Sequence, residues 1–206
     1  MSLSGRLFAA LYDRIGPCAD AAGVGELRAQ LLAQARGRVL ELGAGTGLNL
    51  AHYGPAVTSL VLTEPEEPMA RRLERHLAAS GREAAVVRSA AEALPFPDGS
   101  FDTVVATLVL CTVADVERTL AEAARVLVPG GRLLALEHVR SEDPRTARWQ
   151  DRLARPWGVV GHGCRPNQDT GALLRASALE VQRLEPIRLP GAPITRPGIV
   201  AVAVAP

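Results

Sequence analysis

The sequence predicts an α/β protein: one seven-stranded, mostly parallel sheet, helices on both faces, and a helical segment ahead of the first strand. Three observations predict it. Apolar, β-branched runs alternate with segments of helical periodicity, the pattern of a parallel sheet. Residues 39–47, Val-Leu-Glu-Leu-Gly-Ala-Gly-Thr-Gly, end an apolar strand in a glycine-rich turn. Such a turn, at the carboxyl end of a first strand, is where nucleotide-like ligands bind in open sheets. The last two strand-like runs lie close together, so one of them is expected to be antiparallel.

Taken in order, residues 3–15 and 25–36 read as helices, with Leu3, Leu7, Phe8, Leu11 and Ile15, then Leu27, Leu31 and Leu32, at helical spacing. Gly16-Pro17 is expected to break the first. Arg38–Leu42 is the first strand, and a helix is expected near Leu48–His52. Ser59–Thr63 is the second strand. Glu66–Ser80 is a helix stopped by Gly81. Ala84–Arg88 is the third strand, residues 95–99 form a loop, and Asp102–Leu108 is the fourth strand. A helix over Asp115–Leu127 closes on Pro129-Gly130-Gly131 before a fifth strand, Arg132–Glu137. Residues 140–168 read as a partly helical insertion. Thr170–Ala176 is a helix, and Glu180–Leu184 and Ile199–Ala203 are the last strands.

The 206 residues suit one domain, 1–206, with 1–36 as a helical lid and 140–168 as a substrate-side insertion. A net charge of +1 and 3% aromatic residues give no footprint for a nucleic-acid partner. No apolar run reaches the roughly 20 residues needed to span a bilayer, and no signal peptide is expected. Cys18, Cys111 and Cys164 are far apart in sequence, without C-x-x-C or His–Cys zinc spacing, so no metal is expected. Reduced thiols suggest a cytoplasmic location.

The spacing of Gly43, Gly45 and Gly47 decides between ligands. A dinucleotide fingerprint, G-x-G-x-x-G, needs a glycine where Leu48 stands, which disfavours a nicotinamide oxidoreductase. G-x-G-x-G preceded by Glu41 resembles motif I of the class I S-adenosylmethionine-dependent methyltransferases, whose fold is Rossmann-like. Residues 90–102, Ala-Ala-Glu-Ala-Leu-Pro-Phe-Pro-Asp-Gly-Ser-Phe-Asp, resemble the D-A-E-x-L-P-F-x-D-x-S-F-D pattern of its ubiquinone-biosynthesis-like branch. The resemblance implies S-adenosylmethionine as cofactor, held by Glu41, Gly43, Ala44, Gly45, Gly47, Glu64, Pro65, Ala90, Ala91, Thr107 and Leu108. Glu64 would accept both ribose hydroxyls, since a carboxylate has two acceptor oxygens. Ala90 stands where the family carries the Asp that receives the adenine amino group, so that group is left to a backbone carbonyl, a neighbouring side chain or water, while the N–H of Ala91 is expected to meet an adenine ring nitrogen. Glu92 reads as a structural acid. Tyr12 and Asp13 resemble the Y-D pair of related lids, and Tyr12 is expected to close over the cofactor.

Residues 107–113, Glu137-His138-Val139, Trp149-Gln150, Pro156-Trp157, Gly163-Cys164 and Asp169-Thr170 resemble the animal methyltransferase-like proteins that methylate alkyl thiols. Those proteins begin with a membrane-inserting apolar segment that residues 1–36 do not resemble, so no transmembrane segment is expected and peripheral membrane contact stays open. The resemblance implies a small-molecule methyl acceptor, a thiol first. The alternatives are N- or C-methylation of an amine, a lipid headgroup or a quinone-like ring, or cofactor binding without catalysis. Methyl transfer needs in-line alignment and a dry site. His138 and His162 are the candidates to take an acceptor proton, since histidine titrates near neutrality. Their alternative roles are bonding a loop and capping a turn. Trp149 and Trp157 are expected to pack the insertion, with walling an apolar acceptor pocket as their alternative role. The sequence leaves the oligomeric state undetermined.

Overall fold

A computed structural model of the chain describes residues 3–206; residues 1–2 and the side chains of Leu3 and Ser4 lie outside the described residues. Its strands are β1 (Gly37–Leu42), β2 (Val57–Thr63), β3 (Ala85–Val87), β4 (Phe101–Thr107), β5 (Leu127–His138), β6 (Glu180–Arg188) and β7 (Pro197–Val204). They form one sheet in the order β3-β2-β1-β4-β5-β7-β6. Only β7 runs against its neighbours β5 and β6, as the closeness of the last two strands implies. The order reverses between β1 and β4. That reversal opens a crevice at the carboxyl ends of the strands.

The helices are α1 (Leu3–Ala19), α2 (Gly25–Leu32), α3 (Glu67–Ser80), α4 (Val116–Val126), α5 (Pro144–Val160) and α6 (Thr170–Ala176). Alternating residues of each strand build two cores. Leu134 and Leu136 join Leu31 and Leu32 of α2 and Leu73 of α3 on one face. Leu133 and Ala135 join Leu120 of α4 and Leu174 of α6 on the other. Three helices start on an Asp cap: Asp115, Asp143 and Asp169 accept the N–H of Arg118, Thr146 and Ala172. Such caps contribute about 1 kcal/mol each.

Three local expectations are corrected. The first helix does not break at Gly16-Pro17. It runs through to Ala19 and kinks at Gly23, whose φ is 118°. Gly16 serves packing instead: a Cβ there would stand 2.8 Å from Leu48 Cδ1. No α-helix forms at 48–52, where only a 3-10 turn spans Leu50–His52. Gly45 and Gly47, at φ 60° and 94°, hold the preceding chain in turns. Strand β5 begins at Leu127 and carries Pro129-Gly130-Gly131 within it, with a register shift opposite residues 101–103.

The insertion is pinned by Gln150, which is fully buried. Its Nε2 donates to the carbonyls of Val139, Pro166 and Ile194, at 2.9–3.0 Å. Its Oε1 accepts the N–H of Ser141 at 2.8 Å. One side chain thus ties α5 to the end of β5 and to two loops. Among the described residues, no helix is long and apolar enough to cross a membrane.

Candidate active site

A cavity of about 750 Å³ opens at the carboxyl ends of β1, β2, β4 and β5. Helix α1 and the turn after α5 roof it. This volume lies within the roughly 300–1,000 Å³ range of small-molecule sites. Of the residues singled out in the sequence, Tyr12, Gly43, Gly45, Glu64, Pro65, Ala91, Thr107, Leu108, His138 and His162 line it. Glu41, Ala44, Gly47 and Ala90 do not.

At one end the glycine-rich turn faces the carboxylate that ends β2. Glu64 Oε2 accepts the N–H of Gly45 at 2.9 Å, and Oε1 accepts the N–H of Glu66 at 2.9 Å. Burial outweighs these bonds and pushes the Glu64 carboxyl up to about 7. Each oxygen keeps a further lone pair for a ligand hydroxyl. A Cβ on Gly45 would enter the cavity, its nearest neighbours being Met69 Cε at 3.6 Å and Tyr12 Cε1 at 3.7 Å. A Cβ on Gly43 would collide with Val109.

Each of the residues that miss the cavity is engaged elsewhere. A Cβ on Gly47 would stand 2.8 Å from Leu50 Cδ1 and 2.9 Å from Leu73 Cδ1, so this glycine permits packing. The Ala44 N–H joins β2 at Thr63 O. Ala90 is exposed, and its carbonyl accepts from Ser89 and Ala93. The Glu41 carboxylate accepts from Asn49 Nδ2 at 2.9 Å and Tyr53 OH at 2.6 Å. Burial raises it to about 7.

That network leads to a residue sequence reading missed. Arg28 is 3% exposed, and its Nη1 donates to Asn49 Oδ1 and Thr107 Oγ1, both at 2.9 Å. Its Nε donates to Asp20 at 3.1 Å. Among the described residues it is the only guanidinium lining the cavity. The signal was present: Arg28 precedes Leu31 and Leu32 by three and four positions, so it shares their buried face.

The other end is soft and titratable. Cys111 follows β4, His138 ends β5 and Cys164 follows α5. The two sulfurs are 3.8 Å apart, and His138 Nδ1 is 3.8 Å from each. Cys111 and Cys164, far apart in sequence, are thus assembled by the fold, while Cys18 stays exposed elsewhere. Neighbouring donors, first Cys111 and then His138, pull the Cys164 thiol well below the ordinary range, and the pairing and burial push Cys111 up. Buried Glu137 anchors the floor, accepting the N–H groups of Val109, Leu110 and Cys111 at 2.9, 2.8 and 3.3 Å. Leu108 beside it has φ 57°. A left-handed leucine is a strained conformation of the kind that gathers at functional sites.

His162 stacks on Phe8 of α1, with ring centroids 4.4 Å apart. Its ring joins the roof to the turn after α5. Trp157 lines the cavity, whereas Trp149 is 56% exposed under Arg152. Glu92 accepts the N–H groups of Ala114 and Asp115, a structural role.

Sheet order, strand-end carboxylate and glycine turn together build a ligand cavity at the carboxyl edge of an open sheet, the place where such folds take nucleotide-like ligands. A family model described as a methyltransferase domain matches residues 40–135. The chain belongs to the class I S-adenosylmethionine-dependent methyltransferases. Within that class it is 33% identical to human thiol S-methyltransferase TMT1A over 171 residues, which cover 81% of this chain and 70% of that protein. It is 37% identical to human thiol S-methyltransferase TMT1B over 145 residues, 68% of this chain and 59% of that protein. A putative methyltransferase from Bacillus halodurans superimposes with a TM-score of 0.74 at 16% identity, covering 89% of this chain and all of that one. The cofactor is S-adenosylmethionine. The paired lone pairs of Glu64 and the open space at Gly45 fit it.

Proposed function

We propose that this chain transfers a methyl group from S-adenosylmethionine to the sulfur of a small, largely apolar thiol. One observation carries the reading: a single cavity joins the Gly43–Glu64 end to a cluster of two cysteines and a histidine. The names of the TMT1 relatives support the same acceptor. The bound cofactor supplies an electrophilic methyl on a sulfonium. Glu64 accepts the ribose hydroxyls, and backbone near Ala91 meets the adenine. Arg28 faces the methionyl carboxylate, oriented by Asn49 and Thr107. Leu108, held by Glu137 through the turn that follows it, aligns the methyl-bearing end. Alignment and exclusion of water account for most of the rate such a site can supply.

At the acceptor end a thiol of pKa near 8.5 needs only modest help to ionise. The Cys111–His138–Cys164 cluster, rather than His138 alone, gives that help. His162 closes the roof. Ile15, Val159 and Val160, at 54%, 84% and 68% exposure, rim the mouth and suit an apolar acceptor arriving from a lipid surface. Thiols in the cluster work reduced, which fits the cytoplasm.

The test is an acceptor panel of alkyl thiols of several sizes, a primary amine and a phenol, with methylated product and S-adenosylhomocysteine measured together. Methyl thioethers are the expected products. Product from the amine or phenol alone would sink the thiol assignment.

A further inference from the structure

We propose that Cys111, His138 and Cys164 form a zinc site whose fourth coordination position opens into the acceptor end of the cavity. The metal site stands on the cluster itself. Placing an acceptor thiol in the fourth position rests on the thiol reading above.

The geometry matches the ion. A tetrahedral zinc with bonds of about 2.3 Å to sulfur and about 2.0–2.1 Å to nitrogen sets sulfur–sulfur at about 3.8 Å and sulfur–nitrogen at about 3.6 Å. The three edges are each 3.8 Å. The triangle is one face of such a tetrahedron before any ion draws it together. Two thiols and an imidazole select a zinc-class ion over magnesium or calcium, which take oxygen. Three protein ligands with one open position is the pattern of reactive rather than structural zinc, and two cysteines with one histidine is a known form of it.

The ligands come from three separate segments that hydrogen bonds tie to one another. The Cys111 N–H bonds Glu137, and its carbonyl accepts the Arg165 N–H at 2.7 Å. His138 ends β5, paired with Gly198 of β7. The Cys164 N–H donates to Gly161 O at 3.1 Å. The buried indole Nε1 of Trp157 has no hydrogen-bond partner among the described residues, and it and Cys164 Cβ both lie beside Gly161. An indole N–H turned onto a ligating sulfur would be the kind of outer contact that tunes metal sites. All three ligating residues line the cavity, so the face opposite the protein ligands looks toward the acceptor.

The chemistry follows. Two thiolates neutralise the ion, and a coordinating thiol gives up its proton, here to solvent. The acceptor sulfur's electron pair forms the new bond to the methyl carbon. The bond from that carbon to the sulfonium breaks, and its pair returns to the cofactor's sulfur, which becomes a neutral thioether. The methylated acceptor is also a neutral thioether, a poorer ligand than a thiolate, and leaves. His138 then acts as a ligand, not as a base.

The test uses the full chain, stripped of metal and reduced with a phosphine. Zinc is titrated against a chromogenic chelator, and cobalt(II) is titrated separately for its visible tetrahedral bands. One equivalent should bind. Losing a direct ligand should weaken zinc by at least about 100-fold, the upper end of what outer contacts cost. Cys111→Ser and Cys164→Ser should both show this, and Cys18→Ser, at an exposed thiol outside the cavity, should not. Calorimetry with S-adenosylhomocysteine reports that each variant is folded. The site is overturned if wild type binds zinc no tighter than a Cys164→Ser protein that still binds S-adenosylhomocysteine. Hexanethiol should shift the cobalt bands; unchanged bands refute the open position. Thiol methylation by metal-free protein at the zinc-loaded rate refutes the role of zinc and leaves the thiol reading standing. A zinc site with no thiol product supports the site and refutes that reading.

Discussion

Glu64→Gln isolates the charge at the cofactor end without changing the side chain's size. Both carboxylate oxygens already accept a backbone N–H, from Gly45 and Glu66, at 2.9 Å. The amide keeps one acceptor and points an NH₂ at the other N–H, so a donor faces a donor. The two ribose bonds also lose their charged acceptor, and hydrogen bonds to charged groups contribute about 1.5–3 kcal/mol each. Losing one such bond lowers affinity about tenfold or more. A pH signature accompanies the loss. Burial raises the free Glu64 carboxyl to about 7. Ribose hydroxyls donate to the ionised form, so binding favours the carboxylate and releases a proton below that value. Wild-type affinity should therefore fall about tenfold per pH unit below 7, because one unit corresponds to about 1.36 kcal/mol. The variant, with nothing to ionise there, should lose this slope. Isothermal calorimetry with S-adenosylmethionine between pH 5.5 and 8 reads both effects. A folded variant with wild-type affinity and a wild-type slope would refute the assignment of Glu64 to the ribose.

Ligand-free stability should run the opposite way. Burial raises the Glu41, Glu64 and Glu137 carboxyls from the model-compound value of 4.5 to about 7. The fold favours their neutral forms, so this contribution is full below about 4.5 and is lost as pH rises through about 7. The thermal midpoint of the ligand-free protein should fall from pH 5 to pH 8, and a rise over that range would contradict it. Arg28→Met should weaken S-adenosylmethionine at least about tenfold through loss of a charged contact, with Arg28→Lys recovering part of it; calorimetry beside a melting curve separates binding from folding. Gln150→Ala leaves three buried carbonyls without their donor and should cost about 2–3 kcal/mol of stability, read by denaturant unfolding.

Much of the fold was legible because its signals are local and periodic. The centre of strand β4, Val104-Val105-Ala106, is apolar on both faces, as a strand covered on both sides must be. The glycine turn and Glu64 mark the ligand edge through spacing alone. What misled was a residue whose purpose lies across the fold. Gly16 looks like a breaker beside Pro17, yet it is small because Leu48 packs there. Gly47 looks like part of a ligand cradle, yet Leu50 and Leu73 are what crowd it. Glu41 sits in the motif, but Asn49 and Tyr53 consume its carboxylate. The acceptor end was not legible at all as a unit. Its three groups lie 26 to 53 residues apart along the chain. Only the ends of β4 and β5 and the loop after α5 bring them within 3.8 Å. Ligand-spacing rules read neighbours on one helix or turn, and sheet order is invisible to them. Arg28 was overlooked for the simpler reason that a charged residue in an apolar stripe was read past.

If one cavity aligns a cofactor at Glu64 with an acceptor at the cysteine–histidine cluster, a crystal structure with S-adenosylhomocysteine and hexanethiol will show both ends at once. The ribose hydroxyls should lie on the Glu64 carboxylate and the adenine beside Ala91. The cofactor sulfur should lie near Leu108, open toward Cys111, His138 and Cys164, with the thiol sulfur in line beyond it. A nucleoside bound away from Glu64, or a thiol sulfur on any side but that of the cluster, would contradict that alignment.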